Sequence, residues 1–138
     1  MDTGLWSLAL RRRSHDLNAV EEVLQRKLTE LIREGRAVLI GPVRQEVLSG
    51  IREGAVYERL RDSLKAFPDE VLTREDYEQA AKVNNTCRAA GVSGSPVDFL
   101  ICAVALRRGM EIFTTDADFT NYARCLPVRL FVAVKRAK

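Results

Sequence analysis

The chain is poor in the residues that usually advertise a site. It has a single histidine, His15, three cysteines, four prolines and one tryptophan in 138 residues. A lone histidine without neighbouring ligands makes an imidazole-based zinc or acid–base centre a poor reading. Cys87, Cys102 and Cys125 fit neither a CxxC redox pair nor zinc-finger spacing, so reduced thiols are the simplest expectation. Cys102 lies in an apolar helical stretch and reads as core. No apolar run approaches the ~20 residues of a membrane span, and no secretory leader pattern is evident. The expected location is therefore the cytoplasm, without a membrane partner. Charge of one sign is not dominant either: 22 Lys and Arg against 19 Asp and Glu leave a formal charge of +3, which permits a polyanionic partner without requiring one.

What is present is enough apolar content, 46%, to fill the core of one domain spanning residues 1–138. Residues 5–13 read as a short helix. Residues 16–35 form a stronger one, with Val20, Val23, Leu24, Leu28, Leu31 and Ile32 on one stripe and Gly35 at its end. AVLIG is a short buried strand, and Pro42 then opens a helix through PVRQEVLSGI. A further helix covers AVYERLRDSLKAF, and EVL reads as another short strand. Thr73 and Asp76 resemble a capping pair ahead of the helix over residues 74–91. SGSP punctuates the chain, then PVDFLICAVALRRG forms a helix apolar enough to be buried on most sides. The strand EIFTTD, the short helix ADFTNYARC and the strand VRLFVAV complete the order. Strands alternating with helices predict an α/β fold with a parallel sheet covered on both faces.

Acidic residues fall where such a fold concentrates chemistry, at the carboxyl ends of strands. Asp2 opens the chain in DTG. Glu46 lies one turn into the helix after AVLIG. Asp98 precedes a helix that otherwise rejects charge, and Asp116 and Asp118 follow Thr114 and Thr115 at a strand end. Each has a plain structural alternative: a frayed terminus, a solvated helix face, a helix cap and an Asx turn. Gathered at one sheet edge, however, four carboxylates repel one another unless protons or cations intervene. Hard oxygen donors suit Mg2+ or Mn2+, and an all-carboxylate site of that kind suits phosphodiester hydrolysis. DTG alone would also fit an aspartic protease, but no second DTG occurs and the chain is largely helical. A haloacid-dehalogenase-like phosphatase needs a DxD setting after its first strand, which DTG lacks.

Four blocks, DTGLW, PVRQEVLSGI, SPVDFLICAVALRRG and IFTTDADF, taken in that order, resemble a PIN-domain ribonuclease of the VapC toxin type. The likeness covers essentially the whole chain and rests on the ordered set, since each block alone is short. It implies a three-layer α/β/α PIN-like domain with a central parallel sheet. It also implies Asp2, Glu46, Asp98 and Asp116 as catalytic acids, of which Asp2, Asp98 and Asp116 hold the metal with Glu46 and Asp118 assisting. Thr3 and Thr115 stand beside these acids as supporting hydroxyls, and Trp6 matches an aromatic near the site. The resemblance further implies Mg2+ or Mn2+, an RNA substrate, a cognate antitoxin and a homodimer. Arg11, Arg12, Arg13, Arg44 and Arg52 follow site-bearing segments and are candidate RNA contacts. Relatives of this kind carry apolar residues before the DT pair, whereas Met1 alone stands there. The first strand is thus expected to be truncated in this sequence, with a longer native chain supplying it. Were Asp2 unusable, the same fold would serve as an RNA- or protein-interaction module.

Overall fold

The computed structural model describes residues 19–114 and 116–131, which fall into two compact units divided between Glu70 and Val71. Asp2, Thr3, Trp6, the Arg11–Arg13 run, His15 and Thr115 lie outside the described residues, as does the expected first strand.

The first unit begins with α1 (Ala19–Arg33). Leu28 and Leu31 are buried on its inner face, but Val23, expected on the same stripe, is 41% exposed. Strand β1 (Leu39–Ile40) is fully buried and leads directly into α2 (Gly41–Leu48). Pro42 suits that junction because its missing N–H would find no helical partner in the first turn. Val43 and Val47, one turn apart, form the buried face of α2. Helix α3 (Gly54–Leu64) buries Leu60 and Leu64 at the same spacing. Strand β2 (Asp69–Glu70) then pairs parallel with β1, Leu39 opposite Asp69 and Ile40 opposite Glu70. The strand expected at EVL therefore lies earlier and ends at Glu70; Val71 is exposed.

Arg44 explains how α2, α3 and β2 hold together. Its Nε donates to Asp69 Oδ1 at 2.8 Å, its Nη1 to the Leu64 carbonyl at 3.0 Å, and its Nη2 to the Phe67 carbonyl. These carbonyls lie at and beyond the end of α3, where the helical ladder runs out; that of Leu64 also accepts from the Phe67 N–H at 3.0 Å. The expectation that Arg44 holds RNA is corrected accordingly: its guanidinium is committed to the fold. Arg52 is exposed.

The second unit, Val71–Phe131, carries α4 (Arg74–Ala89), α5 (Pro96–Arg108), β3 (Glu111–Ile112), α6 (Ala117–Cys125) and β4 (Arg129–Leu130). The Thr73–Asp76 pair does form a capping box. Asp76 does more than cap, however, because it is wholly buried. Its Oδ1 accepts from Arg107 Nη1 at 2.5 Å and its Oδ2 from Arg108 Nη2 at 2.9 Å, fastening the start of α4 to the end of α5. Burial opposes the charge on this carboxylate, but the Thr73 backbone N–H and the two guanidinium groups outweigh it and hold the carboxyl below its ordinary range.

Along α4, Ala80, Val83 and Cys87 continue the buried stripe against α5, whose seven residues from Phe99 to Ala105 are all buried. That is the burial expected of a helix apolar around its circumference. Gly109 closes α5 with φ +62°, a left-handed turn that a side chain would strain. Strands β3 and β4 pair parallel, Glu111 opposite Arg129 and Ile112 opposite Leu130, and Phe113 stacks on Phe131 at 5.0 Å. The fold is of the expected α/β/α class: both strand pairs are parallel and helices connect and flank the strands. No described helix is long and apolar enough to cross a membrane.

Candidate metal centre

The chemistry-bearing residues of the second unit meet where α5 and α6 begin. Ser95 is the N-cap of α5, and its side chain accepts from the Asp98 backbone N–H at 3.1 Å. Asp98 thus occupies the first turn, where the helix dipole favours a carboxylate. Asp116 is the N-cap of α6: its Oδ1 accepts from the Asp118 N–H at 2.9 Å, while its own N–H donates to Thr114 Oγ1 at 2.9 Å. The Asx turn considered for Asp116 is therefore real. It fixes the residue without removing it from the site, because the second carboxylate oxygen is not used in that bond.

One oxygen from each of Asp98, Asp116 and Asp118 lies within 4.8 Å of the others. Asp98 is half-buried and the other two are exposed. Around Mg2+ at about 2.1 Å, neighbouring oxygens of an octahedron stand about 3 Å apart and opposite ones about 4 Å. The present separations, none above 4.8 Å, exceed that span by no more than about 1 Å. The donor set is all carboxylate, which matches a hard cation and not zinc. Asp98, Asp116 and Asp118 accordingly fit a divalent ion of the Mg2+ or Mn2+ kind.

Tyr122 was not legible as part of this site. It is fully buried on the inner face of α6 beside Phe119, and its hydroxyl donates to Asp98 Oδ2 at 2.8 Å. Its ring meets Phe119 edge-on at 5.1 Å and Phe99 at 5.4 Å. Burial, then the hydrogen bond to Asp98 and that carboxylate's charge, push the Tyr122 hydroxyl above its ordinary range, so it remains a donor. One oxygen of Asp98 is thereby oriented from the protein side. The arrangement also explains Gly94: a Cβ there would sit 2.4 Å from the Tyr122 hydroxyl oxygen and 2.8 Å from Phe99 Cζ. The sequence signal available was the one-turn spacing of Phe119 and Tyr122, which announces an inner face but not a partner 24 residues earlier.

Glu46 is in the first unit, on α2, with an exposed side chain. Asp2, Thr3 and Thr115 are outside the described residues. Among the described residues, the acids whose oxygens converge are Asp98 and Asp116, expected as principal ligands, and Asp118, expected as an accessory.

Comparison with known proteins extends the likeness beyond these residues. The sequence profile of the PIN domain matches residues 1–124. VapC ribonuclease Mb1587 of Mycobacterium bovis is 31% identical over 126 residues, covering 90% of this chain and 90% of that protein. Ribonuclease VapC11 of Mycobacterium tuberculosis is similar to the same extent, 31% over 126 residues and 90% of each chain. With an acidic cluster at the starts of α5 and α6 and a profile match running through both, the chain belongs to the PIN-domain family.

Proposed function

We propose that this protein is a divalent-metal-dependent endoribonuclease that hydrolyses RNA phosphodiester bonds as the toxin of a VapBC-type toxin–antitoxin pair. The observation that carries the reading is the convergence of Asp98, Asp116 and Asp118 oxygens within 4.8 Å in a PIN-family chain. The names of the similar mycobacterial proteins, both ribonucleases, support the reaction class. In this reading residues 1–138 act as one PIN-like nuclease domain. Asp2, Glu46, Asp98 and Asp116 are the catalytic acids, Asp118 assists at the metal, and Thr3 and Thr115 support their neighbours.

Bound Mg2+ or Mn2+ would supply positive charge against the transferring phosphoryl group and Lewis-acid polarisation of its oxygens. The protein's part is to hold these oxygens close to the positions an ion would need. Ser95 fixes the backbone at Asp98, Tyr122 holds one of its carboxylate oxygens, and the Asx turn fixes Asp116. Glu46 is assigned to orienting the attacking water or completing the ligand set. Basic residues outside the acidic notch hold the RNA backbone, with Arg52 and the Arg11–Arg13 run as candidates. A cognate antitoxin blocks the site, the active species is a homodimer, and an RNA substrate places the action in the cytoplasm.

The test is incubation of purified protein with end-labelled single-stranded RNA in Mg2+ or EDTA. Cleavage in Mg2+ that EDTA stops and Asp98→Asn removes is the expected result. RNA binding without cleavage in either ion condition would instead identify an interaction module on a PIN-like fold.

A further inference from the structure

Spacing in sequence left the three cysteines as ordinary reduced thiols, yet two of them meet in space. Cys87, near the end of α4, and Cys125, the last residue of α6, place their sulfurs 3.2 Å apart across 38 residues of chain. We propose that Cys87 and Cys125 form an intramolecular disulfide when the folded protein meets a peroxide, making the pair a reversible oxidation site. The inference stands on this geometry and does not depend on the nuclease reading.

A disulfide needs the sulfurs at about 2.05 Å, so they close by only about 1 Å from their present separation. The two thiols also differ in a useful way. Cys125 is half-buried, while Cys87 is wholly buried. Cys125 Sγ lies 3.4 Å from the Tyr122 carbonyl oxygen, to which its S–H can donate, and this leaves the Cys87 S–H to donate to Cys125. Burial foremost, then the neighbouring Cys125, pushes the Cys87 thiol up to about 12, which makes it a poor first target for an external oxidant.

The order of events follows from access. Cys125 sulfur attacks one peroxide oxygen; the O–O bond breaks, a sulfenic acid forms and water leaves. Cys87 sulfur then attacks the sulfenic sulfur; the S–S bond forms, the S–O bond breaks, and the departing hydroxide takes the Cys87 proton as a second water. Two thiols are oxidised by two electrons, and one hydrogen peroxide is reduced to two waters. The new bond would fasten the last turn of α6, one turn beyond Tyr122, to that of α4. Cys102, buried in α5, is expected to stay reduced.

The test treats the reduced, folded, full-length protein with a small excess of hydrogen peroxide, removes it with catalase, and alkylates under denaturing conditions before intact-mass and tryptic analysis. Wild type is expected to take up one alkyl group, at Cys102, instead of three, with the Cys87 and Cys125 peptides linked and the link lost on reduction. Cys102→Ser should keep the link, and Cys125→Ser, altered at the more exposed position, should abolish it. Three alkyl groups on peroxide-treated wild type, a link that includes Cys102, or a link only between two chains would overturn the proposal.

Discussion

Replacing Tyr122 by phenylalanine removes one oxygen from the interior and isolates what that oxygen does for Asp98. The hydroxyl donates to Asp98 Oδ2 at 2.8 Å, and a hydrogen bond to a charged group contributes about 1.5–3 kcal/mol. If the bond orients a metal ligand, its loss weakens Mn2+ binding by roughly 10–100-fold, the range typical for partners that orient metal ligands. The fold should notice much less. Phenylalanine keeps the edge contact with Phe119 at 5.1 Å and the contact with Phe99 at 5.4 Å, and no buried donor is left behind. Asp98 is half-buried and can replace the lost bond with water. The expected melting change is therefore only a few degrees, corresponding to about 1 kcal/mol. Calorimetric titration of Mn2+ into wild type, Tyr122→Phe and Asp98→Asn reads the effect directly. Asp98→Asn should lose more affinity than Tyr122→Phe. A Tyr122→Phe protein with wild-type Mn2+ affinity would refute the orienting role, and an Asp98→Asn protein with wild-type affinity would refute the site itself.

Three further outcomes follow from the same contacts. Gly94→Ala forces a Cβ toward the Tyr122 hydroxyl and Phe99, so it should cost about 1–3 kcal/mol in thermal unfolding and also weaken Mn2+ binding. Asp76→Ala leaves Arg107 and Arg108 without their shared carboxylate. Because their side chains are 36% and 21% exposed, the loss should fall near the low end for a broken buried pair, about 3 kcal/mol by chemical denaturation. The Asp76 carboxyl is held below its unfolded value, so its stabilisation is complete above about pH 4 and is lost as pH falls through the lower folded value; the gap between wild type and variant should narrow there. Arg44→Ala should lower the melting temperature through its lost bonds to Asp69, Leu64 and Phe67 while changing RNA affinity little, as measured by filter binding.

What was legible in the sequence was placement that follows from local pattern. Asp98 was expected at the start of an apolar helix after a Gly/Ser/Pro loop, and it lies in the first turn of α5, three positions after the N-cap Ser95. Asp116 follows a short strand, and its Asx turn with Asp118 spans only two positions. The α/β alternation was visible for the same reason, since each helix carries its own stripe, cap or proline. Roles set by distant partners were not legible. Thr73–Asp76 reads as a cap, but nothing local says that Arg107 and Arg108 close over it from 31 and 32 positions away. Arg44 reads as a solvated cation near a site, and its true partners lie 20 to 25 positions on. Tyr122 and the Cys87–Cys125 contact belong to the same class. Val23 failed differently: periodicity placed it on the apolar stripe of α1, and the packing of that face reached Leu28 and Leu31 while leaving Val23 41% exposed.

The proposed nuclease depends on the carboxylates at the starts of α5 and α6 holding a divalent ion. Anomalous diffraction from crystals grown in saturating Mn2+ tests it most directly. A strong peak bonded to oxygens of Asp98 and of at least one of Asp116 and Asp118 is expected. A map with Mn2+ bound only elsewhere, or with no peak between these carboxylates at saturation, would contradict it.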